Sequence, residues 1–228
     1  PAYIERVARE LVASDGGMHS VVIACGAYDG TPQNTIAPAV GVSLAEYFAR
    51  TGSHVLLVLD DLYTHAKYIR EVSLHEGQLP GRESYPGDIF YRQAQLIERA
   101  GSFQNAGTIT MLPMLQTNME GYADLITTNI MGTTDGHLAF STSLYAQGMF
   151  PSIVDDESVT RVGRHTQSVV QKQLSTAIVT ALSHAREQER VSQFGSELIG
   201  AAADVVRTGS ILRVLLRQQV ADRLDWHV

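Results

Sequence analysis

Five apolar residues in an unbroken run, Val55-Leu56-Leu57-Val58-Leu59, stop at a pair of aspartates, Asp60-Asp61. A run this short, bounded so sharply, predicts a strand, and its lack of alternation predicts burial on both faces, as in a parallel sheet between helices. A second run, Val21-Val22-Ile23-Ala24-Cys25, has the same character. Between the two, Leu44, Tyr47 and Phe48 recur at helical spacing until Gly52. After Asp61, the residues Leu62, Ala66, Ile69 and Val72 mark another helix. Alternating strand and helix predict an α/β fold with a doubly wound layer.

The flanks extend this pattern. Ile4, Val7 and Leu11-Val12 predict a first helix, stopped by Gly16-Gly17. A turn-rich segment, Leu79-Pro80-Gly81-Arg82-Glu83-Ser84-Tyr85-Pro86-Gly87-Asp88, leads to a helix with Asp88 as its cap. The stripe of that helix is Phe90, Ala94, Ile97 and Ala100. Residues 108–115 and 126–131 read as strands, and Thr134-Asp135-Gly136 as a turn into residues 137–140. From His165 the character changes. Val170, Leu174, Ala177-Ile178, Ala181-Leu182 and Ala185 predict one long helix ending near Gly195. Two more helical pieces, 198–206 and 211–216, flank Thr208-Gly209-Ser210. The expected organisation is an α/β layer over residues 1–165, then a helical segment over 166–228.

Composition removes several classes of function. Against 24 Asp+Glu stand 17 Lys+Arg, a net charge of −7, which argues against nucleic acid as a partner. Apolar runs of five residues fall far short of the roughly 20 that a membrane span needs. Cys25 is the single cysteine, so neither an internal disulfide nor a zinc cluster is available. Its apolar neighbours predict a buried thiol, and the absence of disulfides a reducing compartment. Pro1-Ala2-Tyr3-Ile4-Glu5 does not read as a targeting leader. The histidines show no H-E-x-x-H spacing, and no G-x-S-x-G elbow occurs.

What remains is Asp60. A carboxylate at the end of a buried strand lies where α/β folds bind ligands, and in nucleotide enzymes such an acid holds Mg²⁺ through water. The competing role, capping the helix that follows, fits Asp61 better. A phosphate-binding loop needs glycines and then a lysine. Lys67 and Lys172 are the two lysines, and neither follows a glycine-rich approach. Arg161, where the sheet region gives way to helices, has the planar, permanently charged group that stabilises a transferring phosphoryl. Arg92 and Arg99 read as solvated.

Taken together, the segments 55–62, 80–88 and 95–100, Thr128-Asn129, Thr134-Asp135-Gly136, residues 158–163 and Gln193-Phe194-Gly195-Ser196-Glu197-Leu198 resemble the alpha subunit of the rotary F-type ATP synthase. The likeness runs from about Ile4 to Gln219, and its most specific part is the Pro-Gly-Arg-Glu-x-Tyr-Pro-Gly-Asp loop. The resemblance implies a partial RecA-like nucleotide-binding layer and the first part of a C-terminal helical bundle. It also implies a ring alternating with beta subunits around a central rotor, peripheral to an energy-coupling membrane on its cytoplasmic or mitochondrial-matrix face.

On this resemblance Asp60 matches the Walker B acid, holding Mg²⁺ through water, and Arg161 the arginine finger offered to the neighbouring beta site. Arg82, Glu83 and Asp88 belong to the rotor-facing loop, and Tyr145 and Gln218 to the purine pocket. Mg²⁺ and ATP or ADP are implied for the intact subunit, with no nucleotide expected on this chain alone. Three positions depart from the family: Phe150 replaces an arginine, Gly132 a small hydroxyl residue, and Val220 a second glutamine. The family's N-terminal barrel, phosphate loop and last helices have no counterpart in these residues, so a fragment of a longer subunit is expected. The alternative is a stand-alone truncated paralogue acting as an assembly or interaction module without nucleotide.

Overall fold

A computed structural model describes residues 2–13, 19–26, 28–117, 124–193 and 200–219. Two units, Pro1–Thr134 and Asp135–Val228, each have their own internal contacts.

The first unit runs α1 (Ala2–Ala13), α2 (Thr31–Arg50), β1 (Val55–Leu59), α3 (Leu62–His75), α4 (Ile89–Ile97), β2 (Gly101–Ser102), β3 (Thr108–Pro113) and α5 (Leu125–Thr133). β1 and β3 pair in parallel with Leu57 opposite Met111, and β2 adds an antiparallel edge, giving the order β1-β3-β2. Parallel neighbours need a long crossover between them, which α3 and α4 supply. Val42, Leu62, Ala66, Ile69, Ile89, Leu96, Ile97, Ile126 and Ile130 pack with Leu59 into one core, against which Leu57 and Met111 also lie. Leu56 and Val58 are 65% and 52% exposed, so β1 is buried on one face, not on two as its composition suggested.

Several local expectations change. Residues 21–25 form no helix and join no ladder, although Ile23 reaches the patch where Gly41 of α2 meets Leu57. An apolar run supplies side chains for a strand, not a partner edge. Cys25 in that run is half-buried, not buried, its thiol 3.9 Å from the Gln33 carbonyl oxygen. Residues 126–131 are helical because Asp124 accepts from the amides of Ile126 and Thr127, starting α5. Ile126 and Ile130, one turn apart, then enter the core together.

In α2 the buried apolar residues are Val42, Ala45 and Ala49, while Tyr47 and Phe48 are exposed; the helix sits close on the sheet through its small side chains. In α4 the buried positions are Ile89, Gln93, Leu96 and Ile97; of the expected stripe Ile97 is buried, while Phe90 is exposed. Gly16, Gly17, residues 194–198 and Val220 lie outside the described residues.

The second unit contains β4 (Gly136–Phe140), α6 (Thr142–Ala146), β5 (Ile153–Thr160), α7 (Gly163–Thr166), α8 (Val169–Gln193) and α9 (Ala201–Leu215). β4 and β5 are antiparallel, with a bulge between His137 and Ala139. Ser158 bridges that bulge: its hydroxyl accepts from the Ala139 amide at 3.0 Å and donates to the Val154 carbonyl at 2.6 Å. β5 escaped sequence reading because Asp155-Asp156-Glu157 interrupts its apolar pattern; Arg186 of α8 pairs with both aspartates. α9 is continuous through Gly209 where two pieces were expected.

Candidate functional site

The C-terminal end of β1 positions the first candidate. Leu59 accepts from the Met114 amide at 2.8 Å and Leu62 donates to the Met114 carbonyl at 3.0 Å, so the backbone on both sides of the Asp60-Asp61 pair is fastened to the strand-end segment beside it. Asp61 is the cap of α3, accepting from the Thr64 amide and from the Thr64 hydroxyl, as its position suggested. Asp60 is left exposed, with α3 leading away from it. This matches the strand-end placement from which an acid can reach a hydrated cation.

One carboxylate is not a nucleotide site. The sequence holds no glycine-rich loop with a following lysine, and among the described residues no group of three or more His, Cys, Asp or Glu is arranged to hold a metal. The residues present therefore do not fit a self-contained Mg²⁺–nucleotide centre.

The second candidate is the loop at 82–88. Arg82–Ser84 forms a single tight turn in which Glu83 (φ 53°) and Ser84 (φ 62°) are left-handed. Gly81 donates to the Tyr85 carbonyl at 2.8 Å, closing the turn on itself. Tyr85 is 3% exposed and anchors the loop in the core, with the Arg70 guanidinium 4.9 Å above its ring. Arg70 also donates to the Glu83 carbonyl at 3.3 Å. Burial raises the Tyr85 phenol above its ordinary value, so it stays neutral. The result is a fixed knuckle that holds Arg82, Glu83 and Asp88 out to solvent. Asp88 stands at the cap position of α4 but makes no cap; its carboxylate accepts from Arg92 at 2.8 Å.

In the second unit, Arg161 follows β5 directly; its amide donates to the Asp135 carbonyl at 2.8 Å, and the residue is exposed. Tyr145 and Gln218 come together through Phe150. The Tyr145 and Phe150 rings meet edge to face at 5.4 Å, and the Gln218 backbone N–H donates to the Phe150 carbonyl at 2.8 Å. Phe150, at the position where the family's arginine is expected, thus touches both residues, Tyr145 through its ring and Gln218 through the main chain.

Sequence reading missed the fate of Arg99. Its guanidinium grips both Glu46 oxygens at 2.7 and 2.8 Å and the Ser43 hydroxyl at 3.0 Å, tying the segment after α4 to α2. No pattern signals this, because the partners lie more than fifty positions apart in the chain. Among the described residues no helix is long and apolar enough to cross a membrane. Residues 2–160 match the family described as ATP synthase alpha/beta family, nucleotide-binding domain. The match covers the strand-end acid, the knuckle and both strands of the second unit, and the chain belongs to that family.

Proposed function

We propose that the chain is part of the non-catalytic alpha subunit of the rotary proton-transporting ATP synthase, contributing structure and one catalytic group to a neighbouring site. The observation that carries this reading is the Pro80–Asp88 sequence held as a solvent-facing knuckle by buried Tyr85. A loop that must meet a turning rotor needs a fixed shape and an exposed tip, and Arg82, Glu83 and Asp88 are at that tip. Exposure of Arg161 at the end of β5 supports its role as the finger reaching an adjacent beta subunit's nucleotide. On this reading residues 1–165 form the second part of a RecA-like domain, and 166–228 begin the helical bundle. Asp60, Tyr145 and Gln218 belong to the intact subunit's own nucleotide site, where Mg²⁺ and ATP or ADP bind. The subunit works peripherally at an energy-coupling membrane.

Alone, the chain should not hydrolyse ATP, because it has no loop to cradle the phosphates. In a reconstituted ring carrying the full-length subunit, Arg161→Lys should collapse multisite turnover and leave assembly intact, since a lysine cannot present the planar fork. Undiminished turnover in that variant would remove the finger assignment. A rotor that binds equally well after Arg82→Ala and Asp88→Ala together would remove the knuckle assignment.

A further inference from the structure

One stretch of the second unit carries cations and no acid in its sequence. Between Glu157 and Glu187 the sequence contains no Asp or Glu, although the chain as a whole has a net charge of −7. That stretch holds Arg161, Arg164, Lys172 and Arg186. Arg186 is consumed by Asp155 and Asp156. Arg164 and Lys172 instead line one open cleft of about 410 Å³ between α7 and the early turns of α8, with Gln173, Thr176 and Ala177 completing it.

No carboxylate lines that cleft, and among the described residues neither cation has an acidic partner. The contrast within the molecule is sharp. The first unit has a cleft of similar size lined by Arg92, Gln95 and Arg99, but there Asp88 and Glu46 neutralise both guanidiniums. Elsewhere Arg207 and Arg213 are paired with Asp204 and Glu189. Arg164 and Lys172 thus share one concavity with no carboxylate in its lining, whereas the comparable cleft of the first unit has its guanidiniums neutralised.

We propose that this cleft binds a phosphate group, with Arg164 and Lys172 as its two charged ligands. A guanidinium offers a planar fork to two oxygens and an ammonium a compact charge to a third, a combination suited to a tetrahedral oxyanion. The Gln173 amide can donate from the same wall. The Thr176 hydroxyl is already committed to the Lys172 carbonyl at 2.8 Å, so it shapes the cleft without adding a donor. Lys172 sits in the first turn of α8, where the helix dipole reinforces attraction for an anion. The phosphate comes either from free inorganic phosphate or from the tail of a nucleotide. This inference does not depend on which subunit type the chain represents.

The test is a titration of the full 228-residue chain with inorganic phosphate, and separately with ADP, followed by ³¹P NMR at constant ionic strength set with chloride. Saturable binding of phosphate, weakened about tenfold by Arg164→Gln and again by Lys172→Gln, supports the site and names free phosphate as its ligand. Binding of ADP alone, with the same sensitivity to both variants, supports the site and assigns it to a nucleotide's phosphate. Arg190→Gln, an exposed arginine further along α8, is the control and should leave the affinity unchanged. The proposal is overturned if neither ligand saturates, if the Arg164 and Lys172 variants bind as the parent does, or if Arg190→Gln weakens binding as much as they do.

Discussion

Gly209 of α9 lies so close to Ala185 of α8 that a methyl group added to Gly209 would stand 2.2 Å from the Ala185 methyl. Ala185 is fully buried and Gly209 is buried with it, so α8 and α9 pack directly against each other at this pair. Two effects oppose each other in Gly209→Ala. Helix propensity favours alanine by about 1 kcal/mol. Overpacking against a neighbour that is itself almost backbone costs about 1–3 kcal/mol, because the helices must separate. The clash should prevail. Urea denaturation is expected to show a lower midpoint for Gly209→Ala, and a raised midpoint would mean that the hairpin is not packed at this glycine.

That glycine also shows where sequence reading stops. Thr208-Gly209-Ser210 has the composition of a break between helices, and α9 runs through it. A glycine that ends a helix and a glycine that admits a neighbour look the same in one dimension. The same limit applies to residues 126–131, whose branched side chains suggested a strand, although Asp124 starts a helix there. By contrast β1, α3 with its Asp61 cap, β3 and α8 were legible, because each depends on local periodicity or a local cap. The knuckle was legible as a motif, but not its anchoring by Tyr85 and Arg70. Grips such as Arg99 on Glu46 depend on tertiary approach and leave no local trace.

Glu46 gives a prediction with a defined pH window. Its pKa is lowered from 4.5, first by the hydrogen bonds from Arg99 and then by the charges of Arg99 and Arg50, while burial works the other way. A carboxylate with a depressed folded value contributes stability above pH 4.5 and loses it as the pH falls through the folded value. Both side chains are about one-third exposed or less, so the grip is worth about 1 kcal/mol. Glu46→Gln should lower unfolding stability by that amount at pH 7, and the difference from the parent should shrink below pH 4.5 and vanish once the pH is below the folded value. A difference that persists at the lowest pH would point to packing and not to charge.

His65 titrates in a different window. Burial depresses its pKa below 6.5, outweighing the hydrogen bond its Nε2 donates to the Thr35 carbonyl at 2.9 Å. Its Nδ1 is buried with no partner among the described residues, so a proton added there finds no acceptor. The unfolded chain takes up that proton near pH 6.5 and the folded chain does so only at lower pH. Stability from this residue is therefore complete above pH 6.5 and declines as the pH drops below it. His65→Gln can keep the bond to Thr35 and removes the titration. Thermal melts between pH 7.5 and 5.5 should show the parent losing stability more steeply than the variant. Parallel curves would mean that His65 is solvated.

The knuckle separates a structural from a functional residue within one turn. Tyr85→Ala removes a ring that is 3% exposed and packed under Arg70, so it should cost about 3–5 kcal/mol and loosen the loop. Arg82→Ala removes an exposed side chain and should change stability by less than about 0.5 kcal/mol. Glu83→Gly relieves a left-handed residue at φ 53°, while the glycine adds freedom to the unfolded chain. Relief should prevail by a few tenths of a kcal/mol, because positive φ costs a glycine nothing. Guanidinium melts of the three variants should therefore rank Glu83→Gly at or above the parent, Arg82→Ala level with it and Tyr85→Ala far below. If Arg82→Ala falls as far as Tyr85→Ala, the arginine is part of the fold, and its exposure at the tip no longer argues for a partner.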